Sequence, residues 1–146
     1  MTFPTHLLAG LVIGKLTGNY GLSIVCATCV DVDHIYTYAK NGVLLKPKKF
    51  FKTVFDREDP YGDQRNILHN VLVFLLISAV TFIINYQTGL VLFLAYLSHL
   101  ILDALDKSDY FPFFPNKKVN IRGFIDYFSE EEFLIMIFLG SVFLLL

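Results

Sequence analysis

Apolar and polar residues in this chain come in blocks. Five apolar blocks, residues 4–16, 22–38, 67–86, 90–105 and 133–146, are separated by two short turns and two long polar stretches. The turns, "TGNYG" (17–21) and "NYQTG" (85–89), carry the Gly and Asn that reverse a chain tightly. The polar stretches are 41–66 and 106–132. Block 67–86 has about 20 residues and no charge, enough to cross a ~30 Å hydrocarbon core as a helix. The first, fourth and fifth blocks are short for a full span and are expected to tilt, thin the bilayer or form partly embedded hairpins. Thr2 is placed to cap the first block, with Pro4 in its first turn. The pattern predicts an all-α fold: one membrane-embedded domain over residues 1–146, a multi-pass bundle of about five helices.

Composition supports the membrane assignment. Of 146 residues, 55 % are hydrophobic and 17 % charged, too many apolar side chains for so small a soluble core. Net charge is −1, so nucleic acid is not an expected partner. No basic residue precedes Lys15, so no signal-peptide n-region is expected. Basic residues set the orientation. Lys40, Lys46, Lys48, Lys49, Lys52, Arg57 and Arg65 lie in or beside the first polar stretch; Lys107, Lys117, Lys118 and Arg122 lie in the second. Only Lys15 borders a turn. If all five blocks cross, both basic stretches face the cytoplasm and the chain is a cytoplasmic-membrane protein.

The polar residues inside the blocks then acquire a pattern. His6 begins the first block, His34 ends the second within "DVDH", His69 begins the third, and His99 ends the fourth with Asp103 one turn on. Each of these block ends faces the cytoplasmic side in the five-crossing arrangement. Four histidines with Asp31, Asp33 and Asp103 gather in one layer. A carboxylate in an apolar helix costs about 2.5–3.5 kcal/mol at the bilayer centre. Seven such groups need a shared compensation, and the blocks hold almost no Lys or Arg to supply it. A divalent cation would offset carboxylate desolvation and accept neutral imidazole directly. His99 and Asp103, at i and i+4, can reach one ion from one helix, and Asp31 and His34, at i and i+3, can do the same. Asp33 points elsewhere on an ideal helix; it could bridge to a second ion, orient a ligand histidine or act as a base. Nitrogen and oxygen donors without thiolate favour zinc, manganese or iron, with zinc the default. The bland alternative is a hydrogen-bonded cluster that tightens helix packing.

Other signals are weaker. "CATC" (26–29) has CxxC spacing but no second pair, and small-residue packing is the simpler reading. Arg65, four residues before His69, is either a phosphate contact at the mouth of the site or a positive-inside anchor. "KPKKFFK" (46–52) suits an interfacial stretch drawn to anionic lipid. "YFPFFP" (110–115) cannot be a regular helix and is expected at the membrane surface beside the site. "SEEE" (129–132) reads as the acidic start of the last helix.

In order, "THLLAGLVIG", "DVDH", "RNILH", "YLSHLILD" and "FFPNKKV" make the chain resemble the YdjM/YbcI-type membrane-bound, metal-dependent hydrolase family. The resemblance covers most of the chain. The family pattern reads T-H, D-x-D-H, H-R-x-x-T-H and S-H-x-x-x-D. It falls here on Thr5-His6, on Asp31 to His34, on Arg65 with His69, and on Ser98-His99 with Asp103. Gln64 stands where the pattern has histidine, and Leu68 where it has threonine. The family is in turn distantly similar to zinc-dependent phospholipase C and P1-type nucleases, helical enzymes with clustered His and Asp zinc ligands. The resemblance implies a divalent metal held by His6, Asp31, His34, His69, His99 and Asp103. It implies hydrolysis of a phosphate ester, with a lipid headgroup favoured because its phosphate lies at the depth of the histidine layer. Asp33 would be a bridging ligand or general base and Arg65 a phosphate contact.

The competing expectation is a non-catalytic membrane protein whose metal fixes the helices while its basic loops recruit a partner; Gln64 favours it. Metal transport is disfavoured, because the far-side halves of the blocks lack polar residues to line a path.

Overall fold

A computed structural model describes residues 1–54 and 65–146. Gln64 and Arg57 lie outside the described residues. The described chain is all-α: α1 (Phe3–Thr17), α2 (Tyr20–Thr28), a 3-10 turn (Cys29–Asp31), α3 (Val32–Lys40), α4 (Pro47–Val54), α5 (Val71–Ile84), α6 (Tyr86–Leu105) and α7 (Glu130–Leu145). No extended strand occurs among the described residues; two isolated bridges, Asp106 with Ile125 and Tyr110 with Ile121, fold the 106–128 stretch back on itself.

The two short turns form as expected. Asn19 caps α2 by accepting from Leu22 N at 3.1 Å, and Asn85 caps α6 by accepting from Thr88 N at 2.9 Å. The helical blocks differ from the expectation in two places. Block 22–38 is not one helix, because it unwinds through the 3-10 turn at Cys29–Asp31 before α3 starts. Block 67–86 becomes helical only at Val71, so α5 has 14 residues and rises about 21 Å. Among the described helices, only α6, with 20 residues, is long and apolar enough to cross a membrane by length and composition.

Helix α6 is the central element: α1, α2 and α5 all pack on it, and α7 packs on α1. The α1–α2 contact needs Gly10 and Gly14. A Cβ on Gly14 would lie 2.7 Å from Ser23 Oγ and 2.9 Å from Tyr20 Cα, so any side chain there would drive the helices apart. Beneath the polar layer lies a core of Val30, Phe74, Tyr96, Leu100 and Tyr110. The outer faces of α5 and α7 expose Leu72, Leu76, Ile83 and Ile84, and Phe133, Leu134, Phe138 and Leu145. Such an apolar exterior suits hydrocarbon rather than water.

Candidate metal centre

The breaks in the helices position the site. The 3-10 turn ends at Asp31, so Asp31, Asp33 and His34 project from the junction of two helices. His69 sits in the turn just before α5, with Arg65 further back on the same non-helical segment. His6 comes from the first turns of α1, and His99 and Asp103 from the last turns of α6. Six of the seven residues singled out from the sequence meet here in two overlapping groups. One is His6, Asp31, His99 and Asp103; the other is Asp31, His34 and His69; within each, donor atoms lie within 4.8 Å of one another.

The inner donors are close. His99 Nε2 lies 3.2 Å from His69 Nε2 and 3.4 Å from Asp31 Oδ1. His69 Nε2 lies 3.1 Å from Asp103 Oδ2 and 3.8 Å from Asp31 Oδ1, and His99 Nε2 lies 3.5 Å from Asp103 Oδ2. Donors bound at ~2.0–2.2 Å to a tetrahedral ion stand roughly 3.3–3.6 Å apart, so these spacings match the edges of a coordination shell.

The outer ring atoms fix the tautomers. His99 Nδ1 is 2.7 Å from the Ala27 carbonyl oxygen, which can only accept, so Nδ1 carries the proton. His69 Nδ1 is 3.2 Å from Asp33 Oδ2 and donates to it in the same way. In their neutral forms both rings therefore aim an Nε2 lone pair at the same small space. Only a cation, metal or proton, makes that arrangement favourable. The remaining histidines fit the metal more specifically. Neither ring nitrogen of buried His6 makes a hydrogen bond, although Nε2 stands 3.3 Å from Asp103 Oδ1; His34 Nε2 is likewise buried without a hydrogen bond.

Asp33 belongs to neither group. Its Oδ2 accepts from the backbone N–H groups of Asn66, Leu68 and His69 at 3.2, 2.6 and 3.3 Å as well as from the His69 ring. Of the roles open to it from the sequence, the orienting one is seen in this geometry. Arg65 is not at an open mouth: it is 4 % exposed. Its Nε donates to Asp103 Oδ2 at 2.9 Å, and its terminal nitrogens donate to Ser108 O at 3.3 Å and Tyr127 Oη at 3.2 Å. Burial opposes the guanidinium charge, but Asp103, Tyr127 and Asp106 hold its pKa above the ordinary value. Arg65 is therefore held in a buried ion pair, not at an exposed surface. The expectation that no cation compensates the carboxylates is corrected too. Asp103 Oδ1 is 2.8 Å from the Met1 ammonium, and that ammonium also reaches Asp106 Oδ2 at 3.0 Å.

Four further residues, Asp106, Glu132, Tyr110 and Tyr96, were not assigned to the site from the sequence. Asp106, just past α6, completes the ion-pair network. Glu132 is not merely an acidic helix start: it is buried, and its Oε1 accepts from Thr2 N, Thr2 Oγ1 and Thr5 Oγ1 at 2.6, 2.8 and 2.8 Å, tying α7 to the start of α1 beside His6. Tyr110 donates to the His69 carbonyl at 2.9 Å, and Tyr96 donates to that of Leu68. Residues 110–115 do lie beside the site, with Pro112 O accepting from Val71 N at 2.8 Å. Cys26 packs among small and apolar side chains, and neither cysteine joins a donor group.

A family model described as YdjM inner membrane protein matches residues 1–145. The chain belongs to this family. The match agrees with the resemblance carried by the His and Asp motifs, and it places the protein among inner membrane proteins. No curated protein and no solved structure matches the chain.

Proposed function

We propose that this YdjM-family chain is a metal-dependent hydrolase of the inner membrane that cleaves a phosphate ester, a lipid headgroup by preference, at the cytoplasmic interface. The observation that carries the reading is the convergence of two lone-pair nitrogens, His69 Nε2 and His99 Nε2, 3.2 Å apart between two aspartates. His6, Asp31, His34, His69, His99 and Asp103 would hold the metal, with zinc the default for this donor set. A divalent ion held there would lower the pKa of a bound water and polarise a phosphoryl oxygen. Asp33 and Ala27 O orient the two inner imidazoles. Arg65 serves Asp103 and not the substrate.

Access favours a substrate from one side. The side chains of Asp31 and His34 are 22 % and 20 % exposed, whereas those of His6, His69 and His99 are sealed. Helix α4 stands at this open side, its Phe50 ring meeting Tyr38 at 5.8 Å and Tyr38 meeting His34 at 6.3 Å. It brings Lys48, Lys49 and Lys52 with exposed Phe51, which suits an anionic lipid surface. Five helical segments crossing, with both basic stretches cytoplasmic, put this mouth at headgroup level. The 21 Å rise of α5 requires local thinning of the bilayer on that reading.

The test is phosphate release from lipid vesicles by metal-loaded protein in detergent or reconstituted form. Metal-dependent turnover lost in Asp31→Asn supports the reading. Metal-loaded protein inert on lipid phosphates, nucleotides and generic esters favours the second reading, a metal-stabilised scaffold. The capture of Arg65 by Asp103 is the observation on that side, because it removes the expected phosphate contact.

A further inference from the structure

The donor set is larger than one ion can use. Donors at ~2.0–2.2 Å from one ion cannot stand more than about 4.4 Å apart. Among the described residues, no group of donors mutually within 4.8 Å contains both His6 and His34. A single ion in the inner quartet of His69, His99, Asp31 and Asp103 would leave His6 with both ring nitrogens, and His34 with Nε2, buried and without hydrogen bonds. The two rings that carry these orphaned atoms fall one on each side. His6 stacks on His99, ring centroids 3.8 Å apart at 19°, and His34 stacks on His69, 5.6 Å apart at 13°. Between the two imidazole pairs stands Asp31 Oδ1, 3.4 Å from His99 Nε2, 3.8 Å from His69 Nε2 and 3.7 Å from His34 Nε2.

We propose that the cluster holds two metal ions side by side, one ligated by His6, His99 and Asp103, the other by His34 and His69, with the Asp31 carboxylate bridging them. The inference rests on the metal-dependent reading above and deepens it by assigning different duties to the two positions. The first position has four protein donors, counting Asp31, and its His6, His99 and Asp103 side chains are at most 2 % exposed. It is closed and anchors the ion. The second position has three protein donors, two of them on the open side of the cluster. It keeps a coordination place for water or a substrate oxygen, as catalytic sites do. Two ions about 3.5–4 Å apart are the usual arrangement for activating both the attacking and the leaving oxygen of a phosphate ester.

The experiment is metal stoichiometry. The full chain is stripped with chelator in detergent, reloaded with Zn²⁺, freed of excess by gel filtration and analysed for zinc and protein. About two zinc ions per chain are expected for the native protein, and about one each for His6→Gln and His34→Gln. The same protein loaded with Mn²⁺ should give the electron paramagnetic resonance of a coupled pair, and either single variant that of an isolated ion. A graded chelator challenge of the zinc form should remove one ion quickly and the second slowly, and His34→Gln should lack the fast phase. One ion per native chain overturns the two-ion proposal while leaving the metal-dependent reading standing. No bound ion overturns both. The native ratio needs no variant, so a substitution that prevents folding does not spare the proposal.

Discussion

Asp103→Asn is the most revealing single substitution, because it separates the ion-pair role of this residue from its ligand role. The change keeps the volume and removes the charge. In the native protein Arg65 Nε and the Met1 ammonium stand 2.9 and 2.8 Å from the two Asp103 oxygens, all three groups buried. Removing one partner of a buried pair costs about 3–5 kcal/mol, because the other charge stays desolvated. Asp106 moderates the loss, since its carboxylate remains 3.0 Å from the ammonium and 3.6 Å from Arg65. For a chain of this size 1 kcal/mol moves Tm by roughly 2–4 °C, so a fall of roughly 6–20 °C is expected. The assay is thermal unfolding in detergent, followed by circular dichroism with and without chelator. The ion pairs exist without metal, so most of the fall should persist in chelator. Zinc should stabilise the variant less than the native chain, which has one more donor. A metal-free Tm within 2 °C of the native value would refute the reasoning, because Arg65 and the ammonium would then not depend on this carboxylate.

Three other outcomes follow from the same geometry. Metal affinity, followed by zinc titration, should fall as pH drops: burial opposes the charge of His69, but Asp103 and Asp33 hold its pKa above the ordinary 6.5, so metal must displace a proton that is already bound above that pH. Affinity that is flat from pH 8 to 5 would take His69 off the ligand set. Cysteines placed at Lys48 and Lys117 should resist an impermeant reagent in intact cells; modification of either overturns the cytoplasmic placement, and opposite labelling of the two also rules out five crossings. Gln64→His should raise phosphodiester turnover without altering metal content, by up to ~10²–10⁴-fold if the histidine acts as a general acid or base; unchanged turnover means that position 64 supplies no proton.

The cluster of candidate donors was legible in the sequence because polar residues in apolar blocks are few and their helical spacing is informative. His99 and Asp103 at i and i+4, and Asp31 and His34 at i and i+3, do come together. The helix ends were less legible. The unwinding at Cys29–Asp31 and the late start of α5 leave no mark in the hydrophobic pattern, since Cys29, Val30, Ile67 and Leu68 are as apolar as the helices they interrupt. Asp33, read on an ideal helix, could only be said to point elsewhere; its partner is a turn whose backbone donors carry no side-chain signature. The burial of Arg65 is hidden for a related reason. A charge in a polar stretch reads as exposed, and only the return of the 106–128 stretch, with Ser108 and Tyr127, encloses it. Glu132 had a signal that was passed over: it is the innermost of three successive acids, next to the first apolar residue of α7.

The claim that imidazoles and carboxylates hold a metal is tested most directly by X-ray absorption at the zinc edge on chain purified without chelator and loaded with Zn²⁺. The account predicts a first shell of nitrogen and oxygen at ~2.0–2.1 Å, with the outer scattering of imidazole and no sulfur. Metal at background level contradicts it, as does a sulfur shell near ~2.3 Å, which would move the ion to Cys26 and Cys29.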